Sequence, residues 1–341
     1  MRKNYLIIAL VILLGSIQAF SQSKAGTSAA PELTIPIGAR YTAMGGASGV
    51  LADGVEAITW NPSGVDWLVG NGQAIFSYRK YIADIGVNYL ALVGKFGFGS
   101  VGLSLRSFDL GDIPVTTEFH PDGTGEIISP NFFVVGVTYS KKLSDRVSVG
   151  ANFNFVSESF GRVSANGFAF DAGVQYRNML NIPGLQLGVV VKNIGPTMKY
   201  GGSGLWVQAQ VPGSERGVTF YKVEAASFPM PTSFEIGLGY SYSIGEINNF
   251  FLTGTYQANN FYAIDAYKFG FEYSFRNIFF VRAGYNYSKT GDISSIWHHY
   301  TLGAGINTEA LIGLKVTFDY AYVPVTYFTA NHLFNLKVGC A

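Results

Sequence analysis

The sequence predicts an all-β protein, a transmembrane antiparallel β-barrel of about 14 strands with a small N-terminal plug segment. Three observations predict it. Short segments alternate apolar and polar residues along most of the chain. The composition is too apolar and too poor in charge for a freely soluble domain. The N-terminus has the form of a secretory signal. In Val147-Ser148-Val149-Gly150-Ala151-Asn152-Phe153-Asn154-Phe155 every odd position is apolar and every even one is Ser, Gly or Asn. Successive strand residues point to opposite faces, so the segment has one oily and one wet face. A barrel wall between lipid and lumen needs that pattern.

Of 341 residues, 48% are hydrophobic and only 13% charged, where a soluble domain carries about a quarter charged. Mean hydropathy is +0.22. Aromatics make up 15% of the chain and there are 42 Gly, which suits a lipid-facing band, aromatic girdles and small inward residues. The net charge of +1 and the lack of a Lys/Arg cluster exclude a nucleic-acid partner.

The elements follow in order. Residues 1–21 form a signal peptide: basic Arg2 and Lys3, an apolar run from Tyr5 to Leu14, then Ala19-Phe20-Ser21 as the cleavage site. The run is too short for a transmembrane helix, and no other stretch approaches about 20 apolar residues. The single Cys340 excludes an intrachain disulfide and lies at the wrong end for a lipoprotein anchor. Residues 22–72 form a leader and plug. The stretch 22–30 is Ser/Ala/Gly-rich, whereas 31–70 is apolar without alternation. It is expected to fold in short helical turns inside the lumen, with Trp60 and Trp67 packed inward.

Residues 73–341 form the barrel. Strands are expected near 73–81, 83–94, 98–109, 131–142, 146–157, 166–177, 184–194, 232–243, 249–258, 265–276, 278–288, 298–308, 311–322 and 331–340. A lone Arg or Lys on the lipid face costs about 2–4 kcal/mol at the midplane. Arg106, Asp171, Lys192, Glu235, Lys268, Glu272, Arg282, Lys315 and Asp319 are therefore expected to face the lumen as ion pairs. The long connections 110–130, 195–231 and 289–297 all fall on one side of this strand order, and turns such as 143–145 and 276–277 on the other. Long loops face outward in such barrels, so both barrel ends lie on the periplasmic side.

No catalytic residue, metal ligand or cofactor site emerges, and no enzyme is expected. Gly97-Phe98-Gly99-Ser100-Val101-Gly102 matches a dinucleotide fingerprint in form, but it enters another alternating strand rather than a helix. His298 and His299 are adjacent on a strand and point to opposite faces, which prevents chelation of one ion. No Gly-x-Ser-x-Gly elbow is present. Loop 195–231 is unusually apolar. Trp206, Phe220, Tyr221 and Phe228 are its candidate binding surface; the same residues could instead be buried by folding over the barrel mouth.

The order Gly38-Ala39-Arg40, Met44-Gly45-Gly46-Ala47, Leu51-Ala52-Asp53 and Trp60-Asn61-Pro62-Ser63-Gly64 resembles the N-terminal signature of the PorV/PorQ family. That family is similar to the FadL-type transporters, which carry an Asn-Pro-Ala element in an N-terminal hatch. The resemblance implies a 14-stranded barrel in the outer membrane of a Gram-negative bacterium of the Bacteroidetes/Chlorobi kind. It makes Asp53, Trp60, Asn61 and Pro62 the expected hatch. It also implies a type IX secretion component that binds the C-terminal domains of secreted cargo and a translocon. The FadL-like alternative is passage of a fatty acid or other apolar ligand. Three features depart from the family pattern: Gly54 follows Asp53 in place of a second acidic residue, Ser63 replaces Ala, and no aromatic ends the chain.

Overall fold

The computed structural model describes residues 27–210, 213, 217–245, 247–260, 265–288, 299–309 and 315–340. The signal peptide, the start of the leader and His298 lie outside the described residues. Fourteen strands form one closed barrel. They are β1 Gly72–Lys80, β2 Gly86–Phe96, β3 Gly99–Asp109, β4 Asn131–Lys142, β5 Val147–Phe160, β6 Val163–Arg177 and β7 Leu185–Ile194. The second half comprises β8 Ser233–Ile244, β9 Asn248–Asn259, β10 Ala266–Phe275, β11 Phe279–Ser288, β12 Tyr300–Asn307, β13 Val316–Val323 and β14 Asn331–Cys340. Each pairs antiparallel with its sequence neighbours. β1 closes the ring on β14, from Gly72 opposite Cys340 to Lys80 opposite His332. Closure satisfies the backbone polar groups that lipid cannot.

Alternation sets which face is wet. In β10, Tyr267, Phe269 and Phe271 are exposed on the outer wall, while Lys268 and Glu272 are buried inside. The expected strands match closely, with three differences. β2 starts only at Gly86, because Tyr81 N–H bonds Ile85 O at 2.8 Å and Ala83 and Asp84 take positive φ. β5 and β6 extend to a tight turn at Gly161-Arg162. β13 starts at Val316, so Lys315 stands just ahead of the strand. Its side chain lies over Gly339 on the inner face at the barrel's rim, 3.8 Å from Glu309.

The plug fills the interior. It contains 3-10 turns at Pro31–Thr34, Gly54–Glu56 and Pro62–Trp67 and two short helices, α1 Ala39–Ala43 and α2 Ala57–Trp60. Tyr41, Met44, Ile58, Trp60 and Val65 pack with wall residues such as Ile75, Val87 and Tyr89 in one apolar core. The chain descends through the barrel. Near the outer end, Arg79 Nη1 donates to Pro36 O at 2.9 Å. Near the periplasmic end, Trp67 Nε1 donates to Ser148 Oγ at 2.7 Å. Inner-wall glycines admit this close approach. A Cβ on Gly284 would stand 1.9 Å from Gly45 N, and one on Gly173 2.0 Å from Asn61 Oδ1.

Candidate functional site: the hatch and the outer loops

Asn61 lies at the centre of the expected hatch residues. It is fully buried, with an extended φ of −155° set by the following Pro62. Its Nδ2 donates to Gly49 O at 2.7 Å and to the wall carbonyls Val174 O at 3.3 Å and Val189 O at 3.5 Å. Its Oδ1 accepts from Ser63 Oγ at 2.7 Å and from Ser63 N at 3.2 Å. The amide thus caps the Pro62–Trp67 turn and ties it to two strands. Trp60 is buried and donates Nε1 to Ile37 O at 2.9 Å. Pro62 is buried against Gly150 of β5, whose absent side chain makes the room. Asp53 is different: its side chain is 42% exposed and stands 3.7 Å from Arg40 Nη1. Trp60, Asn61 and Pro62 are therefore one packed unit, and Asp53 is part of an adjoining charged cluster.

That cluster joins plug to wall. Arg40 binds Glu272 with two hydrogen bonds, at 3.0 Å from Nε and 2.8 Å from Nη2. Burial alone would depress the Arg40 guanidinium, but the Glu272 carboxylate holds it well above its ordinary range. Arg282 bridges Glu272 at 2.6 Å and Asp319 at 2.7 Å. Lys337 reaches Glu56 of the plug at 2.6 Å, and Lys192 pairs with Glu235 at 3.1 Å. Of the charges expected in the lumen, Lys192, Glu235, Glu272, Arg282 and Asp319 are thus paired with one another or with the plug. Asp171 is instead held by amides: Asn152 Nδ2 at 3.0 Å, Asn154 Nδ2 at 3.1 Å and Asn193 N at 2.7 Å. It marks a bulge in the β6–β7 pairing, where Phe170 faces Ile194 but Ala172 faces Val191.

The long outer connection between β7 and β8 has two parts with different fates. Its stem folds over the plug. Met198 and Met230 are buried, Phe228 is half-buried and pairs with Met198, and Ala29 N donates to Pro229 O at 2.9 Å. Its tip is a two-stranded ribbon, Trp206–Ala209 against Thr219–Lys222. Trp206, Phe220 and Tyr221 are exposed there, with Phe220 at 58%. Cross-strand register puts Trp206 and Phe220 on one face and Val207 with Tyr221 on the other. The ribbon therefore exposes apolar surface on both faces. Of the four loop residues singled out in the sequence, three share this ribbon and Phe228 belongs to the lid. Pattern reading missed Glu32, Glu158 and Tyr200. Glu158 holds an inward position of β5, a signal the alternation carried, whereas the plug residue Glu32 had no periodicity to reveal it.

A family model described as type IX secretion system protein PorV matches residues 18–213, more than half of the chain. The chain belongs to the PorV family. Its fold is shared more widely. The toluene transporter TbuX of Ralstonia pickettii is 13% identical, with a TM-score of 0.56 over 89% of this chain and 98% of that one. The toluene transporter TodX of Pseudomonas putida is 12% identical, with a TM-score of 0.54 over 89% and 98%. CymD, a monoaromatic hydrocarbon channel, gives 13% and 0.53 over 89% and 96%. A comparison with curated proteins returns no match. At such identities the likeness is one of fold alone. This PorV-family chain is thus an outer-membrane β-barrel of a Gram-negative bacterium.

Proposed function

We propose that this chain is a type IX secretion component that holds secreted protein at the cell surface, with its outer ribbon as the gripping element. The observation that carries the reading is the ribbon itself. It projects Trp206, Val207, Phe220 and Tyr221 into solvent, although a two-stranded hairpin is at best marginally stable alone in water. Exposed aromatic clusters of this kind mark partner surfaces, and a ribbon edge accepts a further strand. Family membership points the same way. The plug supports it too: among the described residues it packs closely against the inner wall, which suits a barrel that serves as a platform. The cargo's C-terminal domain and a translocon are the expected partners.

The test is co-purification of the tagged barrel from mild detergent with its secreted clients. Trp206→Ala, Phe220→Ala and Tyr221→Ala combined are expected to abolish recovery of clients sharing a C-terminal domain while the barrel remains folded. Unchanged recovery would remove the ribbon from the account. A second reading, FadL-like passage of an apolar small molecule, is favoured by the β6–β7 bulge beside the plug. Against it, the lid seals that place: Thr232 Oγ1 donates to Asn193 O at 3.0 Å, and Asn193 Nδ2 donates to Pro231 O at 3.2 Å. Enrichment of an apolar ligand with the barrel alone would support this second reading.

A further inference from the structure

Where plug, wall and lid meet under the outer mouth there is a recess of about 210 Å³. It is smaller than the roughly 300–1,000 Å³ of sites for drug-sized ligands, and suits a single side-chain-sized group. Ala29, Ala30 and Pro31 of the plug and Met198 and Phe228 of the lid give it an apolar wall. Glu158 of β5 and Tyr200 of the lid give it a polar end. Glu158 is only 2% exposed. Its Oε2 accepts from the Tyr200 hydroxyl, while its Oε1 has no hydrogen-bond partner among the described residues. Behind it lies Glu32, 4% exposed, with both carboxyl oxygens equally unpartnered. Arg106 stands near the pair: its Nη1 donates to the backbone carbonyl of Glu32 at 3.0 Å.

We propose that this recess is a binding site for an ammonium or guanidinium group carried on a short aliphatic stem, with Glu158 as its carboxylate partner. The chemistry matches part by part. A buried carboxylate with a free oxygen demands a donor, and a charged donor satisfies it best. Tyr200 and Phe228 add aromatic rings to the lining, a surface that suits a cation. Ala29, Pro31 and Met198 cover the methylenes. Burial, reinforced by Glu158 beside it, pushes the Glu32 carboxyl up to about 8. The inference goes beyond the secretion reading and does not depend on it, since the site is defined by the recess alone. Its ligand could be a free polyamine or a peptide-borne Lys or Arg, which share this chemistry.

Met198 supplies a reporter. The whole barrel, labelled with ¹³C-methyl methionine in nanodiscs, would be titrated with putrescine, with Nα-acetyl-lysine methylamide, and with butanol as the neutral control. The Met198 methyl is expected to shift saturably with one or both cations and not with butanol, while the deeply buried Met44 stays still. Glu158→Gln should weaken that binding about tenfold or more, the worth of one charged hydrogen bond. Which cation binds more tightly distinguishes the free from the peptide-borne source. A shift produced equally by butanol, no saturable shift with either cation, or wild-type affinity in Glu158→Gln would overturn the proposal. If Glu158→Gln fails to fold, the contrast between cation and butanol in the native protein still decides.

Discussion

Asn61 satisfies three carbonyls and one Ser63 side chain from a fully buried site. Asn61→Ala leaves those groups buried and unpaired, at about 1–3 kcal/mol for such a loss. Urea unfolding in detergent should show a drop of that size. Asn61→Asp should be worse, because a carboxylate would face three carbonyl oxygens. Glu32 predicts a pH effect. Its folded value of about 8 lies above its ordinary 4.5, so between these values the folded state holds a proton that the unfolded state releases. Stability should therefore fall as pH rises from about 5 toward 8. Glu32→Gln should remove this component of the slope, as thermal unfolding at pH 5, 6.5 and 8 would show; an unchanged slope would contradict it. Single residues were only partly legible in the sequence. Asn61 stood out because Trp60-Asn61-Pro62 is a distinctive string. Its partners on β6 and β7 did not, since more than a hundred residues separate them along the chain.

The strands were the most legible elements, because a period of two is a local property. Val147–Phe155 declared its two faces within nine residues, and β5 covers it. Termini were less legible. Glu158 and Ser159 look like loop, but they pair with Ala165 and Ser164 and carry the β5–β6 hairpin beyond its expected end. The β7–β8 connection was legible as apolar but not as divided. Whether an aromatic residue there is lid or ribbon depends on distant plug contacts, such as Ala29 with Pro229. Among its described residues, the ribbon makes no comparable contact with the wall core. Replacing Trp206–Lys222 with a short Gly/Ser linker should leave barrel unfolding within about 0.5 kcal/mol of wild type, as for surface changes away from such contacts. It should also remove client binding. A large loss of stability would instead make the ribbon a structural strut.

At the scale of the whole molecule, the parity of long and short connections foretold a closed, even-stranded barrel with both ends on the periplasmic side, and 14 strands close it. The state of the lumen was not legible in the same way. Its occlusion comes from many close approaches, of which Gly45 to Gly284 and Pro62 to Gly150 are two. Small inner-wall residues are as compatible with an open pore as with a tight plug. An occluded lumen predicts that the intact barrel shows no steady conductance in planar bilayers. Glu272→Ala strips both Arg40 and Arg282 of a buried partner. It should cost about 3–5 kcal/mol and introduce transient openings as the plug loosens. The proposed platform role rests on what the outward ribbon touches. A photo-crosslinking amino acid placed at Phe220 in living cells tests this most directly. The account predicts adducts with secreted proteins that share a C-terminal domain, formed from outside the membrane. Adducts absent at Phe220 while the same probe on the stem at Phe228 captures an apolar small molecule would contradict it.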